Sequence, residues 1–231
     1  MTIHGLQKMT LLDYPSKVAC TIFTGGCNLR CPFCHNAPLV TSLRNDEEIP
    51  EDEVLSFLKK RAGLLDAVCI SGGEPLLQPD IKEFIKKVKD FGYDIKLDTN
   101  GSLPERLLEL IDGGNISYVA MDIKNSKEKY AKTAGVSENI LPKIEKSINI
   151  LLSSDIDFEF RTTVTAELHT VSDIKKIGEW IQGAKKYFIQ PFVESDNLIG
   201  GMPLSAPSED VLFEMEKAAS AFVPAAKLRG I

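Results

Sequence analysis

The sequence is short of the residues that mark several common classes of protein. Its 231 residues include one tryptophan, three histidines and five cysteines, and 33 acidic residues face only 27 basic ones. The resulting net charge of -6 argues against a nucleic-acid-binding protein that works by neutralising phosphates. No apolar run approaches the roughly 20 residues that a membrane-spanning helix needs. We therefore expect neither a nucleic-acid partner nor a membrane partner.

Other absences concern the compartment and the use of cysteine. The first residues lack both the positively charged region and the apolar region of a secretory signal peptide. An odd number of cysteines, mostly gathered in one segment, is also a poor basis for a disulfide framework. Both features predict a cytoplasmic protein. Cys20 and Cys69 lie within short apolar runs, where a cysteine behaves as a small hydrophobic residue, so we expect both to be structural.

What the chain does contain is a regular alternation of short apolar runs with longer amphipathic stretches. Hydrophobic residues make up 43% and charged residues 26% of the sequence, which is typical of a globular protein. The alternation predicts βα units and a parallel sheet. We expect strands at 18–23, 67–71, 94–98, 118–123, 157–163 and 187–190, and helices at 51–62, 80–91, 104–112, 137–153, 172–182 and 208–221.

Six such units are about three quarters of the eight in a full (β/α)8 barrel. The predicted fold class is therefore α/β, a partial (β/α)6 TIM-like barrel forming a single domain over residues 1–231. Within that domain we assign the barrel to residues 16–193 and a C-terminal loop and helix to residues 194–231. Residues 1–16 are predicted to form a strand or an extended arm, and the irregular segment 194–207 a lid or binding loop.

Three of the five cysteines, Cys27, Cys31 and Cys34, lie within eight residues. This spacing lets one loop point three thiolates at one centre, one ligand fewer than a structural zinc site or an iron-sulfur cubane uses. One interpretation is an iron with an open position for a small molecule. The other is a zinc knuckle with His35 as fourth ligand. Only two cysteines remain elsewhere, too few to hold a second cubane with thiolates.

Every predicted strand ends in polar or glycine-rich residues or runs directly into them. Barrel enzymes carry their chemistry on the loops at the carboxyl ends of the strands, and glycines let a backbone approach a ligand closely. We therefore expect these segments to lie on one rim. They are the cysteine loop, the turn of Gly72, Gly73 and Glu74, segment 98–101, the pair Asp122 and Lys124, segment 161–163 and Gln190.

The cysteine loop, with Phe33 in the aromatic position of a C-x3-C-x-aromatic-C pattern, resembles the hallmark of the radical S-adenosylmethionine (SAM) superfamily. The resemblance implies one [4Fe-4S] cluster on Cys27, Cys31 and Cys34, with the fourth iron chelated by the amino and carboxylate groups of SAM. The Gly-Gly-Glu-Pro turn at 72–75 is similar to the second motif of that superfamily, in which backbone atoms approach the methionyl amino group of SAM.

Two further segments resemble the branch that activates glycyl radical enzymes, which includes pyruvate formate-lyase activating enzyme. In that branch, the residues matching Asp98 and Asp122 lie around a monovalent cation beside the SAM carboxylate, and the one matching Lys124 contacts SAM. Segments 5–8, 13–15 and 34–36 are most like the activating proteins of anaerobic ribonucleoside-triphosphate reductase. The alternative interpretation of Asp98 is a turn residue, and that of Asp122 with Lys124 is a strand-end ion pair.

Three more residues are candidates for contacting SAM. His35 lies beside SAM or merely caps the cysteine loop, and Arg161 holds SAM or a peptide substrate or forms a structural salt bridge. Pyruvate formate-lyase activating enzyme has a SAM-contacting histidine after the sixth strand. This sequence has none there, and Gln190 is the residue available for a hydrogen bond to the adenosine. His4 and His169 have no partner that the sequence identifies.

The resemblance implies an oxidoreductase whose cluster is reduced by a flavodoxin or ferredoxin. The reduced cluster would cleave SAM to methionine and a 5'-deoxyadenosyl radical, which would take hydrogen from a glycine Cα of a partner, first of all anaerobic ribonucleotide reductase. Two alternatives stay open. One is a radical SAM enzyme acting on a small molecule, as a 7-carboxy-7-deazaguanine synthase does, and the other is a non-catalytic metal-binding or electron-transfer module.

Overall fold

Eight strands form one sheet in which each strand is hydrogen-bonded to its neighbours in chain order. The computed structural model describes residues 1–44, 47–136, 139–194, 198–199 and 201–231. The first strand is antiparallel to the second, and the pairs β2–β3, β3–β4, β6–β7 and β7–β8 are parallel. The strands are β1 (Ile3–Thr10), β2 (Ala19–Thr24), β3 (Ala67–Gly72), β4 (Asp94–Thr99), β5 (Tyr118–Asp122), β6 (Asp157–Val164), β7 (Tyr187–Pro191) and β8 (Ala226–Leu228).

Helices lie between most of these strands, as expected for a chain built from βα units. A short 3-10 helix at Pro75–Leu77 follows β3. No described helix is long and apolar enough to cross a bilayer. The helices are α1 (Ala37–Thr41), α2 (Glu51–Arg61), α3 (Ile81–Lys89), α4 (Pro104–Asp112), α5 (Tyr130–Ala134), α6 (Leu141–Ser153), α7 (Val171–Trp180) and α8 (Glu209–Ser220).

The predicted strands are confirmed, each within one residue of its observed ends. The N-terminal strand is confirmed as β1, and the α/β class with it. Within the described residues four short elements were not predicted, namely β8, α1, α5 and the 3-10 helix at Pro75–Leu77. Part of the irregular segment 194–207 lies outside the described residues, so its prediction as a lid remains untested.

The sixth helix begins later than predicted. The sequence placed its start at Ser137, which lies outside the described residues, whereas α6 begins at Leu141. Pro142 occupies its first turn, where a proline is tolerated because the N–H groups there have no partner within the helix. The side chain of Asn139 accepts a hydrogen bond from the Leu141 N–H (3.2 Å), so the residue before the helix forms a local turn instead of extending it.

The described residues fall into two compact units. The first comprises residues 1–28, 36–99 and 103–120. Its core includes a cluster of Tyr14, Ala19, Ala67, Cys69 and Tyr118. The side chains of Cys20 and Cys69 are fully buried, and burial raises the pKa of each thiol to about 12. The prediction that both cysteines are buried strand residues is confirmed.

The second unit comprises residues 29–35, 100–102 and 121–231. Its sole tryptophan, Trp180 at the end of α7, meets the ring of Tyr130 edge-on with centroids 5.9 Å apart. The ammonium of Lys127 lies 5.0 Å from the Trp180 ring centroid. The buried Glu159 of β6 forms a two-point ion pair with Arg229 (2.8 and 3.1 Å). This pair fixes the chain just after β8.

Candidate functional site

The glycine turn after β3 packs backbone against backbone in the first unit. Gly73 N–H donates to the Thr24 carbonyl (2.9 Å) and Glu74 N–H to the Gly26 carbonyl (2.8 Å). Gly72 has φ of +113°, a conformation that favours glycine. A Cβ added at Gly73 would overlap the Gly26 carbonyl oxygen. The second motif of the sequence is therefore held directly against the backbone that leads into the cysteine loop.

Two side chains hold this turn in place. Asn36 donates from Nδ2 to the Gly72 carbonyl (2.9 Å), a contact that the sequence did not reveal. The carboxylate of Glu74 is fully buried and accepts hydrogen bonds from Leu76 N–H (3.1 Å) and the Thr99 hydroxyl (2.8 Å). Glu74 was predicted to contact the cofactor, and in the structure its side chain caps the 3-10 helix. The cofactor role remains a prediction.

Asp98, at the carboxyl end of β4, contacts a lysine that the sequence analysis did not select. One carboxylate oxygen accepts from the ammonium of Lys96, and the other from the Ser71 hydroxyl (3.1 Å). Lys96 is only 2% exposed. A charged lysine at that depth is rare unless it is paired. The signal in the sequence is a single lysine inside an apolar strand, two residues before an aspartate and so on the same face.

The cysteine loop contributes residues to both units. Cys27, in the first, is half-buried. In the second unit, Cys31 is buried and Cys34 half-buried, and the two are joined by a turn in which Cys34 N–H donates to the Cys31 carbonyl (3.1 Å). Cys31 Sγ lies 3.7 Å from the Ala134 carbonyl oxygen. This contact sets the end of α5 against the loop.

All five cysteines lie in the described ranges, and none is joined in a disulfide. Within those ranges, which omit residues 45–46, 137–138, 195–197 and 200, no three His, Cys, Asp or Glu side chains form a group that could hold a metal ion.

His169 connects two candidate site residues of the second unit. Its ring meets the buried Phe33 edge-on, with centroids 6.0 Å apart. Nδ1 accepts a hydrogen bond from Thr165 N–H (3.1 Å), and Nε2 donates to the Lys124 carbonyl (2.9 Å). Burial lowers the pKa of His169, which agrees with a neutral ring that donates from one nitrogen and accepts at the other. The sequence gave no sign of these partners.

Three predicted residues come together at the strand ends of the second unit. Asp122 accepts from the Lys124 ammonium (2.9 Å) and from Arg161 Nε (3.0 Å). Burial alone would raise the pKa of Asp122, but the charges of Lys124 and Arg161 outweigh it and hold that pKa at about 2. Burial works against the charged form of Lys124, yet Asp122 and Cys31 raise its pKa. Two cations thus share one carboxylate in this cluster.

The last two predicted residues also lie in the second unit. The exposed His35 stacks its ring on that of Phe192, with centroids 5.6 Å apart. Gln190 is a half-buried residue of β7 whose Cα partner on β6 is Thr163. Their contacts with a cofactor remain predictions.

A comparison with models of known families identifies the superfamily of the chain. Residues 21–181 match the family model of the radical SAM superfamily. The chain belongs to this superfamily. As a radical SAM enzyme it is an oxidoreductase that uses SAM and a [4Fe-4S] cluster.

Two relatives differ in how much of the chain they match. A protein of Methanocaldococcus jannaschii, provisionally named a glycyl-radical enzyme activating enzyme, is 34% identical over 99% of this chain and 96% of its own. The 7-carboxy-7-deazaguanine synthase of Thermoplasma acidophilum is 30% identical over 59% of this chain and 62% of its own.

A solved structure shares the fold. Streptococcus suis SuiB, crystallised with bound SAM, has a TM-score of 0.67 and 14% identity over 89% of this chain and 48% of its own. This likeness confirms the α/β partial (β/α)6 TIM-like barrel that the sequence predicts.

By chemical type, the side chains of the cysteine loop suit the cofactors of the superfamily, although no three metal ligands are grouped among the described residues. Soft thiolates are the ligands of iron-sulfur clusters, and the cysteine loop supplies three cysteines within eight residues. The ammonium of Lys124 and the guanidinium of Arg161 are groups that bind anions such as the carboxylate of SAM.

Proposed function

We propose that this enzyme generates a glycyl radical on a partner enzyme, in the first instance an anaerobic ribonucleotide reductase. The observation that carries the proposal is the extent of the likeness to the M. jannaschii relative, which spans 99% of this chain and 96% of the relative. The likeness to the deazaguanine synthase covers only 59% of the chain. A match over nearly the full length of both proteins supports a shared activity better than one limited to part of the fold.

In this proposal Cys27, Cys31 and Cys34 hold the cluster, and the backbone of Gly72 and Gly73 binds the methionyl amino group of SAM. When bound, the cluster and SAM supply the one-electron cleavage of SAM that leads to removal of hydrogen from a glycine Cα. The turn at Gly73 leaves no room for a side chain. Hydrogen bonds from Gly73 N–H to Thr24 and from Glu74 N–H to Gly26 hold this backbone in place before any ligand arrives.

The carboxylate of SAM is assigned to Lys124, with Arg161 close by. Both cations are held by Asp122 at 2.9 and 3.0 Å, so neither has to be ordered when the anion binds. Arg161 shares the charge of Asp122, so the carboxylate holds both cations at once. The Lys124 backbone is fixed independently through its carbonyl by His169.

The remaining candidates take supporting roles. Phe33 packs the cysteine loop onto His169. Glu74 fixes the glycine turn by accepting hydrogen bonds from Leu76 N–H and the Thr99 hydroxyl, in addition to any contact with SAM. His35 and Gln190 are assigned to SAM, and Asp98 to the neighbourhood of its carboxylate. A flavodoxin or ferredoxin is the proposed electron donor.

The test is anaerobic reconstitution of the cluster followed by incubation with SAM, dithionite and a purified anaerobic ribonucleotide reductase. We expect 5'-deoxyadenosine and a glycyl doublet in the electron paramagnetic resonance spectrum. Cys31→Ala should abolish both, because it removes a thiolate of the cluster. The matched control is Cys20→Ala, which removes a buried thiol of β2 outside the loop and should keep both signals.

Two results would contradict the proposal in different ways. Formation of 5'-deoxyadenosine without a glycyl signal, tested across several glycyl radical enzymes, would favour an enzyme acting on a small molecule. A reconstituted protein that contains iron and sulfide but forms no 5'-deoxyadenosine would be a binding or electron-transfer module.

A further inference from the structure

Lys96 places a positive charge inside the sheet of the first unit. It lies in β4 between Ile95 and Leu97, both fully buried, and is itself 2% exposed. Removing an ammonium from water is costly unless a partner compensates its charge. The structure provides that partner two residues later in the same strand, on the same face, as the carboxylate of Asp98.

The surroundings of Lys96 are small and polar. Its Cα partner on β3 is Cys69, and the Cα partner of Cys69 on β2 is Thr21. The Thr21 hydroxyl donates to Asp13 (2.5 Å). Thr21, Cys69 and Lys96 thus form a row across three neighbouring strands. Asp98 lies two residues beyond this row, toward the carboxyl end of β4.

Both carboxylate oxygens of Asp98 are engaged by the protein. Oδ1 accepts from Lys96 and Oδ2 from the Ser71 hydroxyl (3.1 Å). Asp122, in the second unit, has the same kind of arrangement, with Lys124 on Oδ2 and Arg161 on Oδ1. These are the two aspartates that the family resemblance assigns to a monovalent cation. Each already carries a side-chain cation of this chain, so the residues do not fit an additional alkali ion.

Repulsion between cations leads to the same result. The Lys96 ammonium is already bonded to Asp98, and the Asp98 side chain is only 17% exposed. An alkali ion added at Asp98 would lie close to that ammonium, where little water screens the repulsion between the two positive charges. We propose that the ammonium of Lys96 takes the place of the monovalent cation at Asp98, so that SAM binding does not depend on sodium or potassium. This inference rests on the proposed position of Asp98 beside the SAM carboxylate.

The test measures SAM affinity in sodium, potassium and choline chloride at one ionic strength. Equilibrium dialysis of the cluster-loaded wild type should give dissociation constants equal within about twofold in all three salts. Lys96→Met keeps the apolar stem and removes the charge. Its affinity for SAM in choline should fall by about tenfold or more and recover in part when sodium or potassium can occupy the freed position.

The matched control is Lys17→Met. Lys17 pairs with Asp94 at the other end of β4, and both side chains are at least one third exposed, so SAM affinity should stay at the wild-type value in every salt. A second measurement uses the cluster-free protein and records the midpoint temperature of its thermal unfolding. Sodium or potassium should raise it relative to choline for Lys96→Met but not for the wild type.

A wild type that binds SAM about tenfold more tightly in sodium or potassium than in choline would overturn the inference. So would a wild-type midpoint that alkali ions raise, or a Lys96→Met variant with wild-type SAM affinity in choline. A missing glycyl signal combined with alkali-independent SAM binding would instead contradict the partner assignment. The two proposals therefore fail by different measurements.

Discussion

Gly73 has no space for even one additional carbon atom. A Cβ there would overlap the Gly26 carbonyl oxygen, which belongs to the backbone and cannot move aside as a flexible side chain could. We expect Gly73→Ala to lower the free energy of unfolding by at least about 2 kcal/mol. Urea denaturation of the cluster-free protein measures this change.

The control for that substitution is Gly201→Ala. An added Cβ at Gly201 meets no atom within 4 Å, so the change should stay below about 0.5 kcal/mol. Equal losses in the two variants would mean that the contact of Gly73 with Gly26 does not limit this position.

Residues of the site could be predicted from the sequence when a motif marked them, and not when a distant segment supplied the partner. Asp122 and Lys124 were selected from a strand end and a family segment, and Arg161 from the polar residues of the next strand. The three do form one cluster. His169 was not selected, because its partners Phe33 and Lys124 are far away in sequence. Lys96 was missed because a strand lysine is ordinarily taken to face solvent.

At the scale of elements, α7 is the helix with the most complete N-terminal cap. The Thr170 hydroxyl accepts from Asp173 N–H (3.2 Å), and the Asp173 carboxylate accepts from Thr170 N–H (2.9 Å). Such a cap satisfies two N–H groups that have no partner within the helix. Thr170→Ala should therefore lower the free energy of unfolding by about 1 kcal/mol, as measured by urea denaturation.

The matched control is the N-cap of α8. Ser208 occupies that position, but its side chain makes no capping hydrogen bond. Ser208→Ala should leave the free energy of unfolding almost unchanged. If both variants lost the same amount, residue type at the N-cap would matter more than the hydrogen bond observed at Thr170.

The elements that the sequence did not reveal are the short ones. Ala37–Thr41 and Tyr130–Ala134 have five residues each, too few to show a helical period, and Ala226–Leu228 has three. Their positions depend on neighbours in space. The strand at 226–228 pairs with β7, and the end of the helix at 130–134 contacts the cysteine loop. Longer strands were predictable because apolar runs bounded by glycine or polar residues mark their ends.

At the scale of the whole molecule, His169 makes stability depend on pH. Burial lowers its pKa, so below the ordinary histidine value of about 6.5 the unfolded chain binds a proton that the folded chain resists. The free energy of unfolding should thus decrease as the pH falls below about 6.5. His169→Gln removes the titrating group and should show a shallower decrease between about pH 7 and pH 5.

Chemical denaturation at a series of pH values measures this slope. The comparison at about pH 8, where the imidazole is neutral in both states, gives the cost of the substitution that does not depend on pH. If the free energy of unfolding changed with pH in the same way for wild type and variant, His169 would accept a proton equally well in the folded and the unfolded chain.

The fold as a whole was predictable because short apolar runs alternate with amphipathic stretches along the sequence, and this alternation indicates the order of βα units. The division of the described residues into two compact units was not, because it depends on contacts between segments distant in sequence. The cysteine loop shows this most clearly. Cys27 belongs to one unit and Cys31 and Cys34 to the other, although all three lie in a single short loop.

The position of Trp180 has a practical consequence for spectroscopy. It is the sole tryptophan of the sequence and belongs to the second unit, where it touches Tyr130, whose hydroxyl lies 3.5 Å from the Asp122 carbonyl oxygen. Emission excited at wavelengths that only indole absorbs therefore reports the unit that carries Asp122, Lys124 and Arg161. The first unit contains no tryptophan, so this emission follows the second unit without an added label.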